Sequence, residues 1–541
     1  MPTWTEVLTT PDLVTRAAAL WPEKDALVFP DGRETYRELA ESVAQVALGL
    51  IALGIKPGER VGVLMPNMLE TMHYLYGIQA IGAVAVPLNT RNRIRETQYI
   101  VGDADLRAIV TTDVLDDTID LVALLAKSFP DLEAQKDPFN LDIREVPNLR
   151  HIILVGSKDL PYIIKADHLR KMGGRVDRDV LELRQSRVRL RDIALMPYTS
   201  GTTASPKGCP MTQEAINRTA IEQARVLKLT PDDGIFCPLP AFHMVFYMAM
   251  LACMSVGATT VTVRYFQPDV AVRLLRQEQS THLFTVFPVF VQGMMGDPGW
   301  QEGGLNIRVL FAVGAEKSIR HIEAQLPGVS VISGYGCTEA GGQMVLGIPE
   351  DPLDIRATTG GKPFRGMEAT ILDEEGRELG PGQRGEIALR GYNMFEGYHN
   401  DPEKNARAWT KDGWFRTGDI GIMDEGGRVT YLDREKDMLK VGGENVAAAE
   451  IESVLGTHPA VHIAQVVAAP DKKYEQVPAA FIQLRPGQSV TAEELLEHCR
   501  GQVASFKLPR HFRFVTEWPM SSTKIQKFQL REMIARELAE P

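Results

Sequence analysis

Cysteine is scarce in this chain of 541 residues: there are five, Cys209, Cys237, Cys253, Cys337 and Cys499. None stands in a CxxC pair and the count is odd, which fits free thiols in a reducing compartment rather than a disulfide framework. An excess of basic charge is also missing. The net charge is −11, which argues against nucleic acid as the main partner, because a phosphate backbone is normally met by a basic face. The start, Met1-Pro-Thr-Trp-Thr-Glu6, has no basic stretch followed by an apolar run, so no secretory signal is expected and the expected compartment is the cytoplasm. Long apolar runs are rare as well. Met244 to Val263 carries no charge and is long enough for a bilayer. Gly257 interrupts it, however, and Ala258 to Val263 is β-branched and short, so a buried helix followed by a buried strand is expected rather than a membrane span.

What is present is ordinary for a water-facing protein: 44% hydrophobic and 24% charged residues, in a chain long enough for several lobes. Up to about residue 360, β-like runs such as Arg60 to Leu64, Ala108 to Thr111 and Arg308 to Ala312 alternate with helical stretches such as Tyr36 to Leu53. That alternation predicts an α/β fold of parallel sheets with covering helices. From about 360 to 432 short strands and tight turns, Asp373 to Gly376 and Asp424 to Gly427, predict a small β subdomain. After Asp433 a compact α+β piece is expected, with a capping box at Thr491 to Glu494 and a last helix from about Phe528 to Leu538. The expected domains are therefore 1–432 and 438–541, joined through 433–437. The charged stretch from about Lys127 to Glu145 reads as a surface insertion.

One stretch is richest in chemistry: Tyr198-Thr-Ser-Gly-Thr-Thr-Ala-Ser-Pro-Lys-Gly208. Gly201 permits close backbone approach, Thr199, Ser200, Thr202 and Thr203 offer donors to phosphate oxygens, and Lys207 supplies a mobile positive charge. The lysine follows a proline and precedes the glycine, so the order is not that of a Walker loop. Taken alone, such a run is also what a solvated loop looks like.

Further motifs follow in order: Gly334-Tyr-Gly-Cys-Thr-Glu-Ala340, Trp414-Phe-Arg-Thr-Gly-Asp419, Asp433-Arg-Glu-Lys-Asp437, Gly442-Gly-Glu-Asn445 and Lys524-Ile-Gln-Lys527. With the early Thr35-Tyr-Arg-Glu-Leu39 they span essentially the whole chain. In this the chain resembles the adenylate-forming superfamily of acyl-CoA synthetases, luciferases and peptide-synthetase adenylation domains, and most resembles fatty-acid-type acyl-CoA synthetases. The resemblance implies ATP, magnesium, coenzyme A and a small-molecule carboxylic acid as partners, and a mobile C-terminal domain. It places Thr199 to Lys207 around the β- and γ-phosphates, and Thr338 and Glu339 at the α-phosphate with magnesium on Glu339. Gly334, Tyr335 and Gly336 would border the nucleotide, Asp419 and Arg434 would hold the ribose, and Gly314, Ala315 and Glu316 the adenine. Glu316 departs from the small residue or proline usual there. Lys524 would reach the acyl carboxylate and the α-phosphate, although Thr523 replaces the usual preceding glycine. Lys436 occupies the hinge position, and Gly442, Gly443 and Glu444 would line a pantetheine tunnel. Cys337, inside a motif, reads as a packing residue rather than a nucleophile.

The acid pocket implied by the resemblance draws on His243, Val245, Phe246, Tyr247, Phe287, Val289, Phe290, Met294, Gly334 and Gly341. These are mostly apolar and several are bulky, which favours a medium or long alkyl acid or a bulky cyclic one over acetate. His243 stands where a gate would be, or as a turn histidine. Three alternatives stay open: a stand-alone enzyme loading a carrier protein, a luciferase-like oxygenase, and a catalytically silent binder of acyl groups or nucleotides. A peptide-synthetase domain would carry an aspartate near Pro240 to His243, where there is none, and a downstream carrier domain, which is not expected here. The oligomeric state is left open, with a homodimer among the alternatives.

Overall fold

The structure, a computed structural model, describes residues 7–115, 119–199, 206–314, 316–434, 437–441, 444–446, 448–471, 474–500, 502–503, 505–520 and 525–539. The alternating apolar runs of the first two thirds fold into two seven-stranded sheets. One runs Ser330–Ile332, Val309–Ala312, His282–Val286, Gly234–Phe236, Thr259–Val261, Asp25–Phe29 and Gly32–Thr35, parallel until the last hairpin. The other runs Met211–Thr212, Ile193–Leu195, Val84–Pro87, Arg60–Leu64, Ala108–Thr112, His151–Val155 and Ile164–Lys165, parallel apart from its first strand. Strand residues such as Val61, Val63, Ile109, Val110, Ile152 and Ile153 are buried on successive positions. Continuous burial is what a parallel strand covered on both faces requires.

Local signals in the sequence account for several elements. Thr35 and Glu38 form the capping box that starts the helix Tyr36–Ala52, and Thr491 and Glu494 do the same for Ala492–Cys499. The uncharged run resolves into a buried helix, Met244–Val256, closed by Gly257 at φ +80 and followed by the strand Thr259–Val261. Among the described residues no helix is long and apolar enough to cross a membrane. The charged stretch after Lys127 differs from expectation. It is pinned to the second sheet's core by Phe129, Leu132, Leu141 and Ile143, all fully buried. The charges lie between these anchors, one of which, Leu132, is the buried residue of a short 3-10 turn, Pro130–Ala134.

A four-stranded antiparallel sheet follows: Met367–Leu372, Arg384–Gly391, Phe415–Met423 and Val429–Arg434. Beyond it Leu439–Val441, Glu444–Val446, Val461–Asp471, Glu475–Leu484 and His511–Phe514 form a last sheet. Leu439, Val446, Ile451, Val461 and Ile482 give this C-terminal piece a core of its own. The fold is thus α/β, with a large N-terminal domain and a small C-terminal one.

Candidate active site

The loop suited to phosphate opens from a hairpin in which Thr199 pairs with Lys207 and Tyr198 with Gly208. The Tyr198 hydroxyl donates to Asp103 at 2.6 Å and anchors the stem. Ser200, Gly201, Thr202 and Thr203 lie outside the described residues. The Lys207 ammonium stands 5.5 Å from the centre of the Tyr398 ring, which Lys404 also faces, at 4.8 Å. The hydroxyl of the same tyrosine donates to Glu339 Oε1 at 2.8 Å. Burial, with the Glu339 carboxylate beside it, pushes the Tyr398 pKa far above the ordinary phenol value, so it remains a donor.

Tyr398 sits on a strap that the sequence reading missed. The Phe395 N–H donates to the Glu339 carbonyl at 2.8 Å, Glu396 N–H to Pro210 at 3.0 Å, and His399 N–H to Gly208 at 2.9 Å. Residues 395 to 399 therefore bind the hairpin of Thr199 and Lys207 to the Thr338–Glu339 turn. Their only local signal was a glycine and a tyrosine ahead of the capped helix Pro402–Ala408, an ordinary turn pattern.

Thr338–Ala340 is a single 3-10 turn, reversed by Gly341 at φ +67 and Gly342 at φ +85. The reversal needs glycine at 342 for space as well as for φ. A Cβ there would lie 2.6 Å from the Met244 Cβ, so the bend rests directly on the start of the helix Met244–Val256. Gly336 is equally tight, its Cβ position being 2.6 Å from the Gly342 carbonyl oxygen.

Two of the nucleotide candidates, Tyr335 and Asp419, meet across the sheets. Asp419 is 4% exposed, and its Oδ2 accepts from the Tyr335 hydroxyl at 2.8 Å. Burial and the Asp419 charge raise the Tyr335 pKa well above its ordinary value. The Tyr335 ring stacks on Tyr431 with centroids 6.0 Å apart. Gly418, at φ +69, donates its N–H to Glu386 at 2.8 Å, which holds the turn before Asp419. Arg434 lies opposite Asp419 in strand register; its side chain is outside the described residues. Gly314 and Glu316 are exposed at the carboxyl end of Val309–Ala312, where open α/β sheets bind ligands, and Ala315 is outside the described residues. Glu316 is paired with Arg320 at 2.8 Å at the start of its helix.

The aromatic candidates divide. His243 caps the helix Met244–Val256 and meets Phe287 edge-on at 6.4 Å; Phe287 meets Phe290 at 6.3 Å, and Phe290 meets Phe266 at 4.7 Å. His243, Phe287 and Phe290 are half-buried. The chain is aimed there by Val286, whose φ of +59 is costly for a β-branched residue. Val245, Phe246 and Met294 are buried in the cores. Tyr247 faces the neighbouring helix Leu69–Ala80, its hydroxyl accepting from Gln79 Nε2 at 2.6 Å and its ring 5.9 Å from that of Tyr76. The Val289 side chain is outside the described residues.

Lys524, Lys436, Gly442 and Gly443, and the Glu444 side chain, are also outside them. The flanks of Lys524 are described: Met520 bridges to Ile525, and Gln526 N–H donates to Pro519 at 2.7 Å. Met520 and Gln526 line a cavity of about 880 Å³ shared with Tyr198, Pro206 and Phe242 of the N-terminal domain. Arg91, Arg93, Arg95 and Lys127 line the same cavity beside Glu96 and Asp120, a mainly basic group that the sequence reading passed over in an acidic chain. Near the expected hinge, Asp437 pairs with Arg531 at 2.6 Å.

Among the described residues no group of three His, Cys, Asp or Glu side chains is placed to hold a metal. A single carboxylate, Glu339, joined through Tyr398 to the neighbourhood of Lys207, fits magnesium that would arrive with ATP, because magnesium takes one or two carboxylates together with phosphate oxygens.

The AMP-binding enzyme family matches residues 14–399, and the AMP-binding enzyme C-terminal domain matches residues 450–524. The chain is 32% identical to the putative acyl-CoA synthetase YngI of Bacillus subtilis, over 96% of each chain. It is 30% identical to the mitochondrial medium-chain acyl-CoA ligase ACSF2 of Homo sapiens, over 96% of this chain and 86% of that protein. In structure it is similar to the anthranilate CoA ligase AuaEII in complex with anthranoyl-AMP, with a TM-score of 0.86 and 27% identity over 99% of this chain and 98% of the other.

Proposed function

The chain belongs to the AMP-binding enzyme family and is an AMP-forming acid–thiol ligase using ATP, Mg²⁺ and coenzyme A; on that premise we propose that its acid is a medium or long alkyl acid or a bulky cyclic one. The observation that carries the proposal is the half-buried row His243, Phe287 and Phe290, whose first member caps the helix on which the bend after Thr338 and Glu339 rests through Gly342 and Met244. Such a wall excludes water from an apolar group while the reacting carboxylate stays near the bend. Relatives that act on medium-chain acids and on anthranilate are consistent with either shape of acyl group.

In the proposed reaction a carboxylate oxygen attacks the α-phosphorus of ATP and pyrophosphate leaves, giving acyl-AMP. The thiol sulfur of coenzyme A then attacks the acyl carbon, and AMP departs. No protein nucleophile is needed, so the residues act by position and charge. Lys207 meets the leaving phosphates from the hairpin, and Tyr398 orients Glu339 through its hydroxyl. Glu339 would hold magnesium together with ATP, and the ion would supply charge neutralisation for the leaving pyrophosphate. Asp419, steadied by Tyr335, accepts from the ribose hydroxyls. Lys524, whose sequence neighbours Met520 and Gln526 line the cavity, would act on the carboxylate and α-phosphate, and Arg91, Arg93, Arg95 and Lys127, which outnumber Glu96 and Asp120 in the lining, would draw polyanionic nucleotides to the opening.

The test is pyrophosphate release across acids from acetate to long-chain and bulky cyclic ones, each with and without coenzyme A. The highest kcat/KM is expected with an apolar acid of medium length or larger, and thioester only with coenzyme A. A maximum at acetate or an amino acid overturns the assignment of the pocket.

A further inference from the structure

The helix Ile94–Asp103 ends on a half-buried aspartate. A carboxylate in the last turn of a helix faces the negative end of its dipole, and no basic residue stands in that turn to offset it. The placement therefore does nothing for the helix; what it serves lies across from it. Asp103 Oδ2 accepts from the Tyr198 hydroxyl at 2.6 Å, and the Asp103 backbone carbonyl accepts from Asn400 Nδ2 at 3.1 Å. These partners are 95 and 297 residues away in sequence. One residue thus holds both the stem of the Thr199–Lys207 hairpin and the chain directly after the strap that carries Tyr398. Asn400 turns to meet it at φ +53, a conformation that asparagine adopts more readily than most residues. Hairpin and strap are in close contact between the two ties: a Cβ at Gly208 would lie 3.1 Å from the His399 Cβ and 3.1 Å from the Tyr198 Cζ. Burial, with the bond to Asp103, pushes the Tyr198 pKa far above the ordinary phenol value, so its hydroxyl remains a donor.

We propose that Asp103 is a positioning residue for the first half-reaction: through Tyr198 and Asn400 it fixes the hairpin that holds Lys207 over the Tyr398 ring, and so sets where Lys207 meets the leaving phosphates of ATP. This rests on the ligase reading above and adds to it a residue that acts through others rather than on a reactant. The β- and γ-phosphates depart as pyrophosphate when acyl-AMP forms. A residue that acts only through the hairpin therefore matters to that step and not to thioester formation from acyl-AMP.

The test measures two rates in the wild type, Asp103→Asn and Asp103→Leu: pyrophosphate release against ATP concentration at saturating magnesium and acid, and thioester formation from pre-made acyl-AMP and coenzyme A. Asparagine still offers Tyr198 an oxygen, and leucine offers none. Asp103→Leu should lower kcat/KM for ATP on the order of 10-fold, the size of one hydrogen bond to a charged group, and leave the thioester rate unchanged. Asp103→Asn should recover most of that loss, with a Tm at or above that of the wild type, since the charge at the helix end is gone. Tyr198→Phe should reproduce the loss of Asp103→Leu, and the double variant should be no worse than either single one, because the same bond cannot be removed twice. If Asp103→Leu does not fold, Tyr198→Phe carries the same prediction for kcat/KM. Equal losses in both half-reactions overturn the proposal, because the aspartate would then only hold the fold. A wild-type kcat/KM for ATP in folded Asp103→Leu, or Asp103→Asn as impaired as the leucine variant, overturns it as well. Any of these results beside normal pyrophosphate release by the wild type refutes this inference alone; no release with any acid refutes the ligase reading with it.

Discussion

Tyr398→Phe removes one oxygen and tests whether the strap holds Glu339 for catalysis. The hydroxyl donates to Glu339 Oε1 at 2.8 Å, and the same ring lies under Lys207 at 5.5 Å and Lys404 at 4.8 Å. Phenylalanine keeps the ring and both cation contacts, each worth about 0.5–1 kcal/mol, so only the hydrogen bond is lost. A hydrogen bond to a charged group contributes about 1.5–3 kcal/mol, and 1.36 kcal/mol is about tenfold in rate. The ceiling is therefore a fall of roughly 10- to 150-fold in kcat/KM for adenylate formation if the whole bond operates in the transition state. Loss of a group that orients a metal ligand typically weakens metal affinity by about 10–100-fold, so the magnesium concentration for half-maximal pyrophosphate release should rise as well. The assay is initial-rate pyrophosphate release against magnesium concentration at saturating ATP and acid, with the fold checked by circular dichroism. An unchanged magnesium dependence and an unchanged kcat/KM in a folded variant would refute the reasoning.

Lys524→Ala should cost on the order of 10²-fold or more in adenylate formation yet leave thioester formation from pre-made acyl-AMP nearly intact, whereas Gly443→Leu should do the reverse; equal loss of both activities in folded Lys524→Ala would contradict this. The Glu323 carboxylate, which receives both guanidinium nitrogens of the buried Arg356 and the Val331 N–H, has a pKa below its ordinary 4.5, burial raising it but the bonds to Arg356 and Val331 outweighing burial. Its stabilising contribution is full above the unfolded value and is lost as pH falls through the folded one, so the Tm difference between wild type and Glu323→Gln should be largest near neutrality and shrink below pH 4.5; a difference that does not change with pH would show that the pair does not titrate with folding. Arg356→Met, which leaves Glu323 without its cation, should destabilise by about 3–5 kcal/mol in a denaturant titration.

The α/β alternation was legible because parallel strands such as Arg60–Leu64 and Ala108–Thr112 are apolar on successive residues and the helix Tyr36–Ala52 ahead of them opens on a capping box. The strand order was not, since pairings such as Leu27 with Thr260 join residues far apart in sequence. Lys207, Glu339 and Asp419 were legible as candidates because their residue types sit in short motifs. Tyr398 was not, because what joins it to those candidates is contact with Glu339, 59 residues away. The helix Met244–Val256 is apolar all round, so the sequence carries no sign of which side chains face a ligand and which, like Tyr247 on Gln79, face another helix. The stretch after Lys127 misled by its charges, between which the four anchoring residues are spaced irregularly.

The central claim is that the acid is activated as an adenylate. It is tested most directly by running the reaction with an acid whose carboxylate carries heavy oxygen, together with ATP, magnesium and coenzyme A, and analysing the nucleotide by mass spectrometry. The account predicts one heavy oxygen in AMP, because the attacking carboxylate oxygen stays on phosphorus when the thiol displaces AMP. Heavy oxygen in inorganic phosphate with ADP as the nucleotide product, or unlabelled AMP alongside thioester, would contradict it.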